Sequence, residues 1–168
     1  MKKNSIIFLS FIGLISLLFS CEKDETKVYM LDNPIPPKII TLPDLTLEYA
    51  NEADTLIFIG TPVDLGFQTS ASYFLEASAT GNNFLPASNV VRVYFGGQDT
   101  LIKVTEKALN TLMKRFPAGV STSVDFRIRA VATIDAGAGS LGSSANPLVV
   151  ISEIITANVI TYAPPPAK

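Results

Sequence analysis

Apolar and polar residues alternate through most of the chain, in short blocks that turn residues separate. Such alternation places every second side chain on one face, which is typical of strands with one buried face. The blocks predict strands over Ile39–Leu42, Leu45–Tyr49, Thr55–Thr61, Tyr73–Ala79, Val90–Phe95, Thr100–Val104 and Thr122–Ile134. Leu148–Tyr162 is apolar throughout and predicts one or two closing strands. Many short strands at this spacing indicate an all-β sandwich.

One segment, Thr105–Phe116, departs from the alternation. Its apolar residues recur at helical spacing, at Leu109, Leu112, Met113 and Phe116. Thr105 can cap the start of a helix, and Pro117 can end it. Because a helix this short is not stable alone, we expect its apolar face to pack across the edge of the sandwich. A helix lying on a membrane surface is the alternative.

The strand at Thr122–Ile134 has the clearest alternation. Its inward positions are Val124, Phe126, Ile128, Ala130 and Ala132, and its outward positions are Asp125, Arg127, Arg129 and Thr133. Charges on an exposed strand face usually provide solubility and cross-strand pairing, which is the interpretation we favour. Binding of an acidic ligand by Arg127 and Arg129 is the alternative.

The amino terminus has the pattern of a secretory signal. Lys2 and Lys3 precede an apolar run, Ile6–Phe19, which is too short to span a bilayer and is followed at once by Ser20 and Cys21. Leu18-Phe19-Ser20-Cys21 resembles the bacterial lipobox, so residues 1–20 are predicted to be removed and Cys21 to be acylated. A thiolate is the nucleophile that forms the thioether, and several acyl chains give stable anchoring to a membrane.

A tether is predicted between the lipid and the folded domain. Residues 21–37 carry a charged run, Glu22–Glu25, and a proline-rich stretch that favours extended backbone. The charged run is either a solvated spacer or an address, because Lys23-Asp24-Glu25 resembles the export signal of some surface-exposed lipoproteins. We therefore expect a domain over residues 38–162 and a proline-rich tail over residues 163–168.

Composition narrows the possible functions. The chain of 168 residues has a net charge of −2, no histidine, no tryptophan and one cysteine. Nucleic acid binding needs a concentrated basic face, which this chain lacks, so no nucleic acid partner is expected. Without histidine or a free thiol, the commonest catalytic bases, nucleophiles and metal ligands are missing. We therefore predict no catalytic residues, no metal site, no cofactor and no enzyme activity.

A carboxylate glycosidase would need two acids in one cleft. The candidate acids fall at turns or outward strand positions with no pairing signal: Asp44, Glu48, Asp64, Glu76, Asp99 and Asp125. Sugar binding would instead need exposed aromatic rings. The available rings lie mostly in strand patterns where core packing is expected: Tyr49, Tyr73, Phe74, Phe84, Tyr94 and Phe95.

Several blocks of the chain resemble the amino-terminal domain of SusE-type outer-membrane lipoproteins. The resemblance rests on Leu45–Gly66, Tyr73–Phe84, the Leu109-Asn110 helix, Asp125–Ala130 and Asn158–Tyr162. It implies an immunoglobulin-like or fibronectin-III-like sandwich on a lipoprotein at the outer surface of a Gram-negative cell. A glycan-uptake porin and glycan-binding lipoproteins are the implied partners, besides the membrane lipid that acylated Cys21 would enter.

Two departures from the family pattern affect the expectations. The family commonly has a tryptophan two residues before the proline that ends the second strand, and here that residue is Gly60. A neighbour must fill this space, or the packing is looser. The sequence also ends at Lys168, where the family's sugar-binding domains would begin. The predicted function is therefore a non-catalytic, lipid-anchored spacer or assembly domain of a polysaccharide-uptake system. The alternative is that the domain itself binds glycan through exposed aromatic rings.

Overall fold

The computed structural model describes residues 30–67, 70–96, 101–132 and 146–163. Within them lie eight strands: β1 (Lys38–Thr41), β2 (Thr55–Thr61), β3 (Ala71–Ala79), β4 (Val91–Gly96), β5 (Leu101–Thr105), β6 (Thr122–Ala132), β7 (Leu148–Ile151) and β8 (Ile155–Val159). One α-helix, α1 (Glu106–Leu112), follows β5, and short 3-10 turns cover Tyr49–Asn51 and Ala87–Asn89. The predicted signal peptide and Cys21 lie outside these residues.

The strands form two antiparallel sheets. The smaller sheet has the order β1-β2-β5. The larger sheet has the order β4-β3-β6-β7, and β8 also pairs with β6. The two sheets enclose a continuous core of apolar side chains in which the rings of Phe58 and Phe126 lie 6.1 Å apart. The predicted all-β sandwich with one short helix is confirmed.

The predictions for β2 and for the buried face of β6 are confirmed. β2 has the predicted bounds, and β6 buries Val124, Phe126, Ile128, Ala130 and Ala132 as expected. The prediction of a strand over Leu45–Tyr49 is wrong. The Asp44 carboxylate accepts a hydrogen bond from the Thr46 N–H (2.9 Å), which favours a turn over a ladder. Only Thr46 forms a bridge, to Ile160, and Tyr49 begins the 3-10 turn.

Gly60 lies where the related family commonly has a tryptophan. A Cβ on Gly60 would lie 2.8 Å from Ile128 Cδ1 and 2.9 Å from the Lys38 carbonyl oxygen. The side chain of Ile128, itself almost fully buried, and the backbone of β1 therefore occupy the space that a larger residue would need. A neighbour fills the position, which is one of the two outcomes that the sequence left open.

The helix begins as predicted. The Ala108 N–H donates a hydrogen bond to the hydroxyl oxygen of Thr105 (3.2 Å), which is the N-cap. Leu109, Met113 and Phe116 are buried, so the helix packs on the sandwich. The expectation for Leu112 is wrong, since this side chain is 41% exposed. The helix ends at Leu112, and the turn after it brings Met113 and Phe116 back to the core.

Candidate functional site

The chain enters the sandwich at the end where β2 finishes, which we call the N-terminal end. The Leu31 N–H donates to the Leu65 carbonyl (2.8 Å). Ile35 and Asp64 exchange two backbone hydrogen bonds of 2.9 and 3.0 Å. Pro37 is fully buried. The segment before β1 is therefore bound to the domain, and its direction relative to the sandwich is fixed.

The chain leaves the sandwich at the opposite end, where β2 begins, which we call the C-terminal end. Glu106, the first residue of α1, donates its N–H to the carbonyl of Asp54 (3.0 Å), next to the start of β2. On the same helix, Asn110 holds the backbone of Tyr162 through two hydrogen bonds of 2.9 and 3.1 Å. β2 has seven residues, so the two ends are separated by roughly 23 Å.

A cavity of about 560 Å³ lies at the C-terminal end, and we call it the C-terminal pocket. Its walls include the rings of Tyr49 and Tyr162, whose centroids are 5.9 Å apart in an edge-to-face arrangement. Glu52, Lys107 and Lys114 supply the charged groups of the lining. Pockets of this size accommodate small ligands when a few polar groups converge on an apolar wall.

The polar groups of the pocket are partly paired with one another. The Lys107 Nζ lies 3.1 Å from a Glu52 carboxylate oxygen, and this hydrogen bond holds the pKa of Lys107 above its ordinary value. Desolvation, and then the Glu52 charge, raise the pKa of Tyr162. Both groups therefore keep their proton at neutral pH. The pocket offers the phenol rings of Tyr49 and Tyr162, the ammonium groups of Lys107 and Lys114, and the carboxylate of Glu52.

The six candidate aromatic residues do not form one cluster. Tyr73 and Phe84 are buried, as core packing predicts. Phe74 and Tyr94 face outward from the larger sheet with their ring centroids 5.5 Å apart, and Tyr94 is 62% exposed. Phe95 is half-buried, with its ring 5.7 Å from that of Tyr73.

Tyr49 is the candidate ring that lines the C-terminal pocket, at 50% exposure. Its partner in the pocket, Tyr162, was not among the candidate rings. The sequence signal that was available is the position of Tyr162 as the last aromatic residue of an apolar segment before a run of prolines. That signal places the residue at the end of the domain but not beside Tyr49.

Two of the candidate acids lie at outward strand positions, as predicted, but both are buried. The Glu76 side chain is fully buried. It accepts hydrogen bonds from Arg92 Nε (2.6 Å) and Arg127 Nε (2.7 Å), which lie opposite it on the two neighbouring strands. Asp125 is buried as well and accepts hydrogen bonds from the hydroxyls of Thr80 (3.0 Å) and Thr156 (2.6 Å).

Arg127 is only partly as expected. Its cross-strand pairing with Glu76 is confirmed, but its side chain is 19% exposed rather than solvated. The guanidinium carbon lies 3.8 Å from the centre of the Phe84 ring, which belongs to the loop after β3 and stacks on it. The Arg127 charge is therefore compensated by the protein itself, which disfavours the acidic-ligand alternative. Arg129 lies opposite Phe74 and is half-buried.

The remaining candidate acids lie at or next to turns, as predicted, except that Asp99 falls outside the described residues. Asp44 and Asp64 accept hydrogen bonds from backbone N–H groups two residues ahead of them, at 2.9 and 2.8 Å. Glu48 directly precedes the first 3-10 turn. Among the described residues that line the C-terminal pocket, Glu52 is the one acid, so they include no acid pair of the kind a glycosidase uses.

Among residues 30–67, 70–96, 101–132 and 146–163, no three histidine, cysteine, aspartate or glutamate side chains are grouped so that they could hold a metal ion. Within the same residues, no helix has both the length and the apolar character that crossing a membrane requires.

The comparisons with known proteins give a family for the chain. No curated protein matches the chain. The model of the SusE outer membrane protein family matches residues 23–129, which is more than half of the 168 residues. The matched region runs from the predicted tether through β1 to β5, α1 and most of β6. The chain therefore belongs to the SusE outer membrane protein family and is a protein of the outer membrane.

Proposed function

We propose that this protein is a non-catalytic, lipid-anchored module of a Sus-type polysaccharide-uptake system at the cell surface, where it acts as a spacer or assembly domain. The observation that carries the proposal is the course of the chain through the sandwich. The chain enters at the N-terminal end and leaves at the C-terminal end, beside Tyr162 and Ala163. A domain threaded in this way separates the tether on one side of it from the tail on the other.

The anchor side of the spacer would be Cys21. Met30 is nine residues after Cys21, and an extended chain of nine residues is at most about 30 Å long. From Leu31 onward the backbone is bound to the sandwich, so the domain sets the height of the chain from that residue on. The rigid part then adds roughly 23 Å between the two ends, as judged from the length of β2.

The partners that fit this role are of two kinds. The acyl chains on Cys21 would enter outer-membrane lipid, and the body of the domain would contact proteins of the same uptake system. The glycan-uptake porin and the glycan-binding lipoproteins are the expected protein partners. The polysaccharide would then contact those proteins rather than this domain.

A height measurement tests the spacer role. A fluorescent protein is placed after Lys168, and energy transfer from it to a lipid-attached dye is measured in outer-membrane vesicles. The control lacks residues 38–163 and keeps the tether. We expect the complete chain to hold the fluorophore about 20 Å farther from the lipid than the control does. Equal transfer in both would overturn the spacer role, and release of the protein from vesicles on Cys21→Ser tests the anchor separately.

Glycan binding by the domain itself is a second candidate, and the C-terminal pocket is the observation that favours it. Carbohydrate sites combine an aromatic wall, on which the CH face of a sugar packs, with polar groups that bind hydroxyls. Tyr49 and Tyr162 could supply the wall, and Glu52, Lys107 and Lys114 the polar groups. The two rings meet edge to face rather than side by side, so they present one ring face at a time instead of a flat platform.

Tyrosine fluorescence tests the second candidate. The chain has five tyrosines and no tryptophan, so a sugar packing on Tyr49 or Tyr162 would change the intrinsic emission. Soluble maltooligosaccharides and other oligosaccharides are titrated into the chain and into Tyr162→Ala. Tyr94→Ala removes an exposed tyrosine outside the pocket and is the matched control. A saturable change that Tyr162→Ala abolishes and Tyr94→Ala preserves would establish a site in the pocket.

A further inference from the structure

The outer face of the smaller sheet is largely aliphatic. Its outward side chains include Ile40, Ile57, Ile59 and Leu101, which are 58%, 42%, 37% and 38% exposed. Ile59 lies opposite Leu101 on β5, and Ile57 lies two residues before Ile59 on the same face of β2. Ile40 lies at the irregularity of β1, next to the pairing of Thr41 with Ile59. We call these four residues the aliphatic face.

The charges on the three strands that carry the aliphatic face all have the same sign. Lys38 and Lys103 are exposed on this sheet, and Lys103 lies directly opposite Ile57. None of the three strands contains aspartate or glutamate. The chain as a whole has more acidic than basic residues, so this basic surface is a local feature. On the larger sheet, by contrast, the Glu76 carboxylate forms ion pairs with both of its neighbouring arginines.

The outward positions of the smaller sheet have the anatomy of a protein interface. Aliphatic side chains form the centre, and Thr55, Thr61 and Thr105 with the two lysines form a polar margin. Interfaces between proteins combine an apolar centre with a polar, solvated rim in this way. A contiguous apolar patch that is exposed and surrounded by polar residues is typical of an interaction site.

Two other occupants fit the face less well. A second copy bound face to face would bring lysines against lysines with no acid on either strand set, and like charges placed opposite each other are unfavourable. Elements that bind a membrane surface bury their apolar side by about 5–10 Å and favour aromatic residues at the boundary. The aliphatic face lies on a flat sheet and has no outward aromatic residue beside it, so a bilayer fits it less well. Two lysines add only about 1 kcal/mol each at an anionic surface.

We propose that the aliphatic face docks a different protein, whose matching surface is apolar at its centre and carries aspartate or glutamate at its margin. This inference rests on the assembly role proposed above and names the surface through which assembly occurs. The acidic groups of the partner would pair with Lys38 and Lys103, while its apolar side chains cover Ile40, Ile57, Ile59 and Leu101. The lysine contacts would contribute to partner choice and to the rate of association.

Site-specific photo-crosslinking in the native bacterium tests the docking surface with the full chain. A photoreactive residue replaces Ile57, and in the control it replaces Val149, which has similar exposure on the outer face of the larger sheet. We expect irradiation to give a discrete adduct with another protein from position 57 but not from position 149. The crosslinked peptide of the partner should contain apolar residues and aspartate or glutamate. Lys103→Glu should lower the adduct yield by about tenfold or more, because it places like charges together.

Several results would overturn the inference. They are an adduct between two copies of the chain, an adduct with lipid, equal yields from both positions, and a yield that Lys103→Glu leaves unchanged. Resistance to protease, compared between variants, shows that each remains folded. Because the height measurement does not involve this face, a failed crosslink with an intact height difference would refute the docking surface and leave the spacer role standing.

Discussion

The buried carboxylate of Glu76 offers the sharpest test of how the larger sheet is held together. Its side chain is fully buried between Arg92 and Arg127, whose own side chains are 45% and 19% exposed. Replacing Glu76 with glutamine keeps the volume of the side chain but removes the charge that compensates both guanidinium groups. Arg127, stacked under Phe84, cannot turn fully to solvent. The variant therefore leaves a largely buried cation without its partner.

The expected cost comes from that geometry. Breaking a buried ion pair by removing one partner costs 3–5 kcal/mol, and the partial exposure of Arg92 places this case near the lower limit, at about 3 kcal/mol. Arg127→Gln should cost about as much, because it leaves Glu76 with Arg92 alone. Arg92→Gln should cost about 1 kcal/mol, since nearly half of that side chain is in water. Arg129→Gln, on the same face of β6 but opposite Phe74, is the matched control and should cost about 1 kcal/mol or less.

Urea denaturation of the purified chain 22–168 measures these costs. With a denaturant dependence of about 2 kcal/mol per molar, a loss of about 3 kcal/mol lowers the midpoint by about 1.5 M. A double-mutant cycle with Glu76→Gln and Arg127→Gln should give a coupling free energy of about 2 kcal/mol. The reasoning is refuted if Glu76→Gln costs no more than Arg129→Gln, or if the coupling is zero within error.

Three further predictions use the same denaturation assay. Gly60→Ala should destabilise the fold by about 1–3 kcal/mol, because its Cβ would lie 2.9 Å from the Lys38 carbonyl oxygen, and a neutral effect would show that β1 can move away. Thr105→Ala should cost about 1 kcal/mol through loss of the helix cap, whereas Thr105→Ser should cost less; equal losses would argue against the cap. Tyr73→Phe removes the hydroxyl that accepts from the Val63 N–H and should cost about 1 kcal/mol at neutral pH. Burial raises the pKa of Tyr73 above its ordinary value of 10.0, so its contribution is complete below pH 10 and is lost as the pH rises further. The free-energy difference between the parent chain and Tyr73→Phe should therefore shrink above pH 10, and a constant difference would contradict this account.

Strands that bury one face completely could be predicted from the sequence. β6 alternates apolar and polar residues over most of its length, and β2 buries every second residue although its centre is apolar on both faces, so the bounds of β2 and the buried face of β6 could be predicted. Leu45–Tyr49 alternates as well, and Leu45 and Leu47 are indeed buried, but the segment pairs only through the single bridge between Thr46 and Ile160. Apolar alternation therefore predicted burial there but not the extent of strand pairing.

Polar burial could not be predicted in the same way. Glu76 lies in a largely apolar strand, and its sequence context predicts an exposed residue. Its burial follows only once the neighbouring arginines are known to come from β4 and β6. The loop with Phe84 that covers Arg127 comes from a further segment. Four separate segments thus create one buried cluster, and no local pattern contains that information.

The C-terminal pocket was unpredictable for the same reason. It brings together Tyr49, the α1 residues Lys107, Asn110 and Thr111, and Tyr162, which are far apart in the chain and adjacent only in the folded sandwich. The sequence identified Leu109 as a core residue, which is confirmed, and Tyr49 as a candidate ring for sugar binding, which stays a prediction. What the sequence lacked was the pairing of Asn110 with the backbone of Tyr162, which positions the second ring.

The proposed function is that the domain acts as a spacer or assembly domain at the outer membrane and does not itself bind the polysaccharide. The most direct test is retention of the purified chain 22–168 on insoluble starch and on a panel of related insoluble polysaccharides. We expect the protein to remain in solution with every polysaccharide of the panel. Clear retention that a soluble competitor reverses, and that Tyr49→Ala or Tyr162→Ala abolishes, would contradict the claim and establish the C-terminal pocket as a glycan site.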